Sequence, residues 1–419
     1  MKKLFCILLT LLISLSCGTA VRANDAPQEN VLALHGEGLK IYADDPLLVQ
    51  SCLPDAATKS LSAMLSGSTA VFESAEEILT SMQSEQAFDL YFLNNAEDYA
   101  KYSASGQLAP LSSNAALSAL TERFYPFIQK QALHEGQFLF FPYAVKYACG
   151  QLCADPSALS VLQRSEQDLP RDIPSLLALI QELDREDIAK TYLLSRHEDI
   201  AAFQGELIRA LLTHRYASQL SQNEPLQFDT PELNEQVDRI VNLKLNHLQC
   251  SSDPGATKKP LFTASALPLR PAQLRPLPLF GKSPTPFQVQ CAVVNASSAN
   301  IDKALDFLAA FAANMRLDKQ FLLFQDIGFA EPESGEGNNE AVSSVLVLAG
   351  SEEFAAYADY LSDSSSALAL NMGLEGLRNT DFLNRLHDLL HGDIPIKDFL
   401  DYCRMYVEGK QPNAVHRQK

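Results

Sequence analysis

A few short polar groups carry the chemistry this chain could offer. Asp44 and Asp45 follow the apolar run Leu39–Ala43. Carboxylates there can accept hydrogen bonds from hydroxyls or pair with an ammonium; the plainer reading is helix capping ahead of Pro46. Asn94 and Asn95 follow the run Ala87–Leu93, and their amides either contact a ligand or make the turn. Tyr99 and Tyr102 come next, to stack on a ligand or to pack their own helix. Arg270 and Arg275 lie in a proline-rich stretch with Phe280; a guanidinium there can fork a carboxylate or phosphate, or simply be solvated. His387 and His391 stand four apart, a spacing that can hold zinc from one helix face. The residue after His387 is Asp388 rather than the usual glutamate, no third ligand is identifiable, and Gly392 is a natural helix stop.

The elements that must position these groups alternate. Leu39–Ala43, Thr69–Phe72 and Ala87–Leu93 read as strands, with Pro46–Gly67 and Ala75–Met82 as helices between them. Strands separated by helices imply crossovers and a mostly parallel sheet. Ligands gather outside the carboxyl ends of such strands, which is where Asp44, Asn94 and Asn95 fall. Ala115–His134 reads as a helix kinked at Pro126, and Gly136–Val145 as a strand in which Pro142 disfavours a ladder position. Pro174–Leu183, Asp199–Leu212 and Pro231–Leu248 have helical apolar spacing. Lys259–Phe287 holds seven of the 22 prolines and reads as irregular, followed by a strand at Gln288–Val294 and a helix at Asn300–Met315. Val342–Leu348 reads as a strand, and Ser351–Leu370, Glu375–His391 and Ile394–Val407 as helices.

Composition narrows the function. A chain of 419 residues suggests two domains. Residues 1–23 form a targeting segment: Lys2 and Lys3, an apolar Leu4–Leu15, and a small-residue cleavage site at Val21-Arg22-Ala23. Processing at Cys17 to a lipid anchor is the alternative; either way the product is exported, and 24–38 is a flexible leader. The formal charge is −18, and −21 once Lys2, Lys3 and Arg22 are removed. Such a surface repels nucleic acid and anionic lipid, so a nucleic-acid partner is excluded. Cys52, Cys149, Cys153, Cys250, Cys291 and Cys403 remain, as disulfides or buried thiols. There is no G-x-S-x-G elbow and no Walker-type loop, and nothing demands catalysis, a cofactor or a metal.

The order of motifs resembles the extracellular solute-binding proteins of ABC importers, in particular the family-1, sugar-type branch. Four stretches carry the likeness: FDLYFLNNAEDYAKYSASGQLAPLS, HEGQFLFFPYAVKYACGQL, QFDTPELNEQVDRIVNL and VVNASSANIDKALDFLAAF. The resemblance implies an α/β, two-lobe periplasmic-binding-protein-like fold of the class II type, each lobe a mostly parallel sheet flanked by helices. By analogy lobe 1 combines 31–142 with 292–349, and lobe 2 combines 143–291 with 350–419. The hinge falls at Pro142–Tyr147 and Gln288–Val294, which brings Tyr143 and Tyr147 to the cleft. It further implies a monomer, without catalysis, that closes on a small polar solute and presents it to a membrane permease. Carbohydrate is the first expectation, although the chain has no Trp, the usual platform for a sugar ring; Tyr and Phe would have to serve. The rival readings are a sensor or protein-interaction module on the same fold, and a zinc hydrolase using His387 and His391.

Overall fold

The computed structural model describes residues 38–65, 71–72, 74–94, 99–149, 151–154, 169–253, 255–265, 275–277, 279–280, 283–325, 367–369 and 380–407. Its first sheet begins with β1 (Ile41–Ala43) and β2 (Leu90–Leu93), which pair in parallel, Ile41 opposite Leu90 and Ala43 opposite Phe92. All of β2 is buried, as its unbroken apolar run requires. Helices α1 (Pro46–Ser51), α2 (Asp55–Leu65) and α3 (Ala75–Met82) make the crossover. Ser74 caps α3, which buries Ala75, Ile78 and Met82 on one stripe. After β2 come α4 (Tyr99–Ala104) and α5 (Pro126–Ala132).

Two long strands complete this sheet and leave it. Strand β3 (Phe141–Tyr147) ends shortly before β4 (Gln151–Ala154), which belongs to the second sheet. In that sheet β5 (Tyr192–Ser195) pairs in parallel with β6 (Lys259–Ser265), which pairs antiparallel with β4, and β4 with the short β7 (Arg275–Pro276). The return passage is β8 (Thr285–Val294), buried along nearly its whole length. It lies between β2 and β3 and runs antiparallel to both. Helix α9 (Ile301–Ala313) follows, and β9 (Ala367–Ala369) runs parallel to the first residues of β8.

The second sheet has its own core. Helix α6 (Ile173–Leu183) is held by a capping box between Asp172 and Ser175. Helix α7 (Ile200–Ser221) is buried on most sides, with Phe203, Leu207, Leu211 and Leu212 in the core. Helix α8 (Pro231–Val241) packs on it and is capped by Thr230. The chain then returns to this core with α10 (Thr380–His391) and α11 (Ile396–Val407), through Phe382, Leu386, Phe399 and Leu400. Gly205 lets α7 and α10 approach: a Cβ there would stand 3.3 Å from Leu386 Cδ2. Among the described residues no helix is long and apolar enough to cross a membrane.

Some expectations are corrected. The region 259–287 is not irregular throughout, because β6 is an inner strand of its sheet and Pro260 sits near its start, opposite Leu193. Pro142 does occupy a ladder position, opposite Cys291, where β3 bulges and relaxes the pairing. Ala115–His134 is a series of short turns of helix rather than one kinked helix. The segment 367–369 lies on the first sheet, although it falls within the 350–419 assigned to lobe 2. The targeting segment with Cys17, the strand at 342–348 and most of the stretches 66–73 and 351–370 lie outside the described residues.

Candidate functional site

The carboxyl ends of β1 and β2 place Asp44 beside Asn94. The Asp44 N–H continues the ladder to Phe92 O at 3.0 Å, and the Asn94 N–H donates to Asp44 Oδ2 at 2.8 Å. The nearby Tyr42 hydroxyl favours the ionised form of the same carboxylate. Solvent reaches Asp44, yet surrounding protein raises its carboxyl above the ordinary range, with burial the largest cause and Asp45 adding to it. A carboxylate open to solvent yet crowded by protein is disfavoured in its ionised form. Burial and the neighbouring carboxylate likewise push the Tyr42 phenol far up, so it stays a donor.

The crossing strands supply the other polar groups. Lys146 on β3 donates from Nζ to Asn94 Oδ1 at 3.3 Å. In the register of β3 and β8, Lys146 faces Gln288 and Ala144 faces Gln290, so these four share one face of the sheet. The opposite face carries the buried Val145 and Tyr147. Gln290 is 0% exposed, and neither Oε1 nor Nε2 has a hydrogen-bond partner among the described residues. Sequence reading missed Lys146 and Gln290. The available signal was a charge inside the apolar FPYAVKY and amides inside QVQCAVV.

The structure sorts the expected residues. Asp44 and Asn94 come together. Asp45 accepts the Leu48 N–H at 3.0 Å as the N-cap of α1, the capping alternative. Tyr99 is corrected: it is buried, stacked on Phe140 at 4.8 Å. Its hydroxyl donates to Val289 O at 3.0 Å and accepts the Cys291 N–H at 2.7 Å. Beyond Leu93 the edge of β8 has lost β2 as partner, and the phenol replaces it. Tyr102 is buried as well.

Tyr143 and Tyr147 are corrected for a related reason, since both lie on the inner face of β3. Tyr143 is wholly buried against Phe92, its hydroxyl donating to Leu93 O at 3.4 Å; Tyr147 stacks on Phe287 at 5.1 Å. Phe280 is no exposed platform: it is half-buried and stacked on His214 at 4.0 Å. Asn95 and Arg270 lie outside the described residues, and Arg275 is described only as backbone of β7.

Two other clusters among the described residues do not have the character of a reacting centre. At the end of β5 the buried Ser195 Oγ lies 3.2 Å from Cys250 Sγ and 2.9 Å from His197 Nδ1. Burial raises the Cys250 thiol and lowers His197, the reverse of an activated nucleophile and base. Burial also pushes Cys153 up to about 12 and raises Cys291 and Cys403. His387 and His391 stack at 4.0 Å on the last turns of α10, with His391 Nδ1 bonded to the His387 carbonyl at 2.9 Å. Among the described residues no third ligand joins them, nor does any other His, Cys, Asp and Glu group suit a metal ion.

No family model and no curated protein matches the chain. Solved structures do. An ABC substrate-binding protein from Listeria monocytogenes, in complex with cycloalternan, matches with a TM-score of 0.52 at 12% identity, over 88% of this chain and 98% of that one. The maltose-maltodextrin binding protein of Alicyclobacillus acidocaldarius matches with a TM-score of 0.52 at 12% identity, over 88% and 99%. A cyclic alpha-maltosyl-1,6-maltose binding protein from Arthrobacter globiformis matches with a TM-score of 0.53 at 15% identity, over 89% and 98%. The fold of this chain is therefore the two-lobe α/β architecture of these binding proteins.

Proposed function

We propose that this chain is a non-catalytic capture component of an ABC importer, exported from the cell, that holds a small polar solute between its lobes. Carbohydrate is the first class to test. The observation that carries the reading is the meeting of Asp44, Asn94 and Lys146 where β1 and β2 end beside the two crossing strands. In an α/β fold that is where ligands bind, and acceptors and donors side by side suit hydroxyl groups. The likeness in fold to proteins named for maltodextrins and related cyclic sugars supports the solute class.

The lobe boundaries 31–142 with 292–349, and 143–291 with 350–419, belong to the same proposal, except that 367–369 goes with lobe 1 because it pairs on the first sheet. Supporting them are the passage of β3 and β8 between the sheets and the packing of α10 and α11 into the second core. Closure about those strands would present the loaded form to a membrane permease, the chain acting as a monomer.

The test is a thermal-shift screen of the mature protein against maltotriose, α-cyclodextrin, sucrose and triglycine. At one hundred times Kd a ligand stabilises by about 2.7 kcal/mol, so a binder raises the melting temperature by several degrees. A flat response to the sugars, with a shift for triglycine, moves the solute class to peptides. A flat response to all four counts against solute capture.

A further inference from the structure

The two histidines at the end of α10 are arranged as a pair of ligands. His387 and His391 are exposed, with their rings stacked at 4.0 Å and 22° from parallel. His391 Nδ1 lies 2.9 Å from the His387 carbonyl oxygen. A carbonyl only accepts, so that nitrogen carries the proton and Nε2 keeps a free lone pair. A backbone carbonyl on the second nitrogen is also the partner that metal-ligating imidazoles commonly have. On His387 the Asp388 carboxylate stands 3.9 Å from Nδ1 and favours a proton there, which leaves Nε2 free in the same way. The turn that carries the pair is fixed. Leu386 and Leu389 are buried in the second core. Past the helix end the Gly392 N–H donates to Leu389 O at 3.0 Å and the Asp393 N–H to Asp388 O at 2.8 Å.

We propose that His387 and His391 chelate a divalent transition-metal ion on the last turns of α10, Cu2+ ahead of Zn2+, through residues that the proposed solute site does not use. Two imidazole nitrogens on one ion lie about 2.0–2.1 Å from it and so about 3 Å from each other. Rings already stacked reach that separation by small side-chain rotations, which their exposure permits. Imidazole suits both ions, and Cu2+ binds such ligands the more tightly. The negative end of the helix dipole and the carboxylates of Asp388 and Asp393 favour a cation there, as does the formal charge of −18. Among the described residues no third protein ligand joins the pair, so water completes the coordination.

The experiment titrates the mature protein with CuCl2 by calorimetry, beside His387→Gln, His391→Gln and, as a control, His247→Gln at an exposed histidine elsewhere. Because the two rings act as one chelate, losing either lowers the affinity of the tightest Cu2+ site about a hundredfold. His247→Gln leaves that affinity unchanged. Electron spin-echo modulation of the wild-type Cu2+ complex counts the bound imidazoles without any substitution, and gives two. Repeated with ZnCl2, the titration shows the same dependence on both histidines from a weaker starting affinity. Wild-type affinity in either α10 variant overturns the proposal, and so does a complex with a single imidazole. A wild type that takes up no Cu2+ overturns it as well, and leaves the capture reading untouched.

Discussion

Asp184 and Asp44 both accept backbone N–H groups, and they are used in opposite ways. Asp184, just past α6, accepts from Asn246, His247 and Leu248, with the last two at 2.8 and 2.7 Å. Burial pushes its carboxyl up, but those three donors and nearby His247 outweigh it and hold the group below the ordinary range. Asp44 accepts one backbone N–H, and the net result is a carboxyl raised by burial. The fold of the second core consumes the capacity of Asp184. At the end of the first sheet the fold leaves part of the capacity of Asp44 unused, as the proposed capture of a solute requires.

The largest effect expected at that sheet end lies on the consumed side of the divide. Tyr99→Phe leaves Val289 C=O and Cys291 N–H buried without the hydroxyl that joins them. Two such groups cost about 2–3 kcal/mol together, measurable by urea unfolding, with solute affinity unchanged. A loss of affinity without loss of stability would restore Tyr99 to the cleft. Next comes Asp184→Ala, which removes the acceptor of three N–H groups. Solvent screening at this half-buried loop limits the loss to about 2 kcal/mol. Its folded-state pKa is lowered, so its contribution is present above the unfolded value of about 3.9 and fades as pH falls through the folded value. The gap between wild type and variant should close in acid.

Asp44→Asn sharpens the contrast from the other side. The raised carboxyl means that the ionised form is disfavoured in the fold. Its stabilising contribution is present below the unfolded pKa and is lost as pH rises through the folded one. The variant should then melt at or above the wild-type temperature at pH 7, with the difference shrinking in acid. Affinity for the bound member of the solute panel should fall about tenfold, roughly 1.4 kcal/mol, by calorimetry. If the variant is instead destabilised at pH 7, Asp44 is a second Asp184 and the divide disappears.

How much of this was legible in the sequence follows the same divide. Local rules reached the helices that begin at Ala75 and at Pro231 and the apolar β2, because helical apolar spacing and buried strands are written in neighbouring residues. They placed Asp44 and Asn94 at the ends of β1 and β2, because strand ends in an alternating chain are predictable positions. They failed for Tyr99, Tyr143 and Tyr147, because which face a tyrosine takes depends on partners such as Val289, Leu93 and Phe287, far away in sequence. The bulge at Pro142 and the arm of Lys146 across β8 are consequences of pairing between β3 and β8. No spacing rule within either strand contains them.

The smallest expected effect decides where the divide runs between neighbours. Asp45 is the N-cap of α1, accepting from Leu48 at 3.0 Å, with Pro46 opening the helix. Replacing a capping aspartate by alanine costs about 1 kcal/mol, and serine recovers most of it because its hydroxyl accepts the same N–H. Asp45→Ala should therefore lose about 1 kcal/mol in urea unfolding and Asp45→Ser only a few tenths. Neither should change solute affinity, since the carboxylate is already occupied by the helix. If Asp45→Ser holds its stability but binds solute about tenfold more weakly, as expected of Asp44→Asn, the second carboxylate is spare too. The cleft wall would then present a pair of acceptors, and an ammonium-bearing solute would fit it better than a neutral sugar.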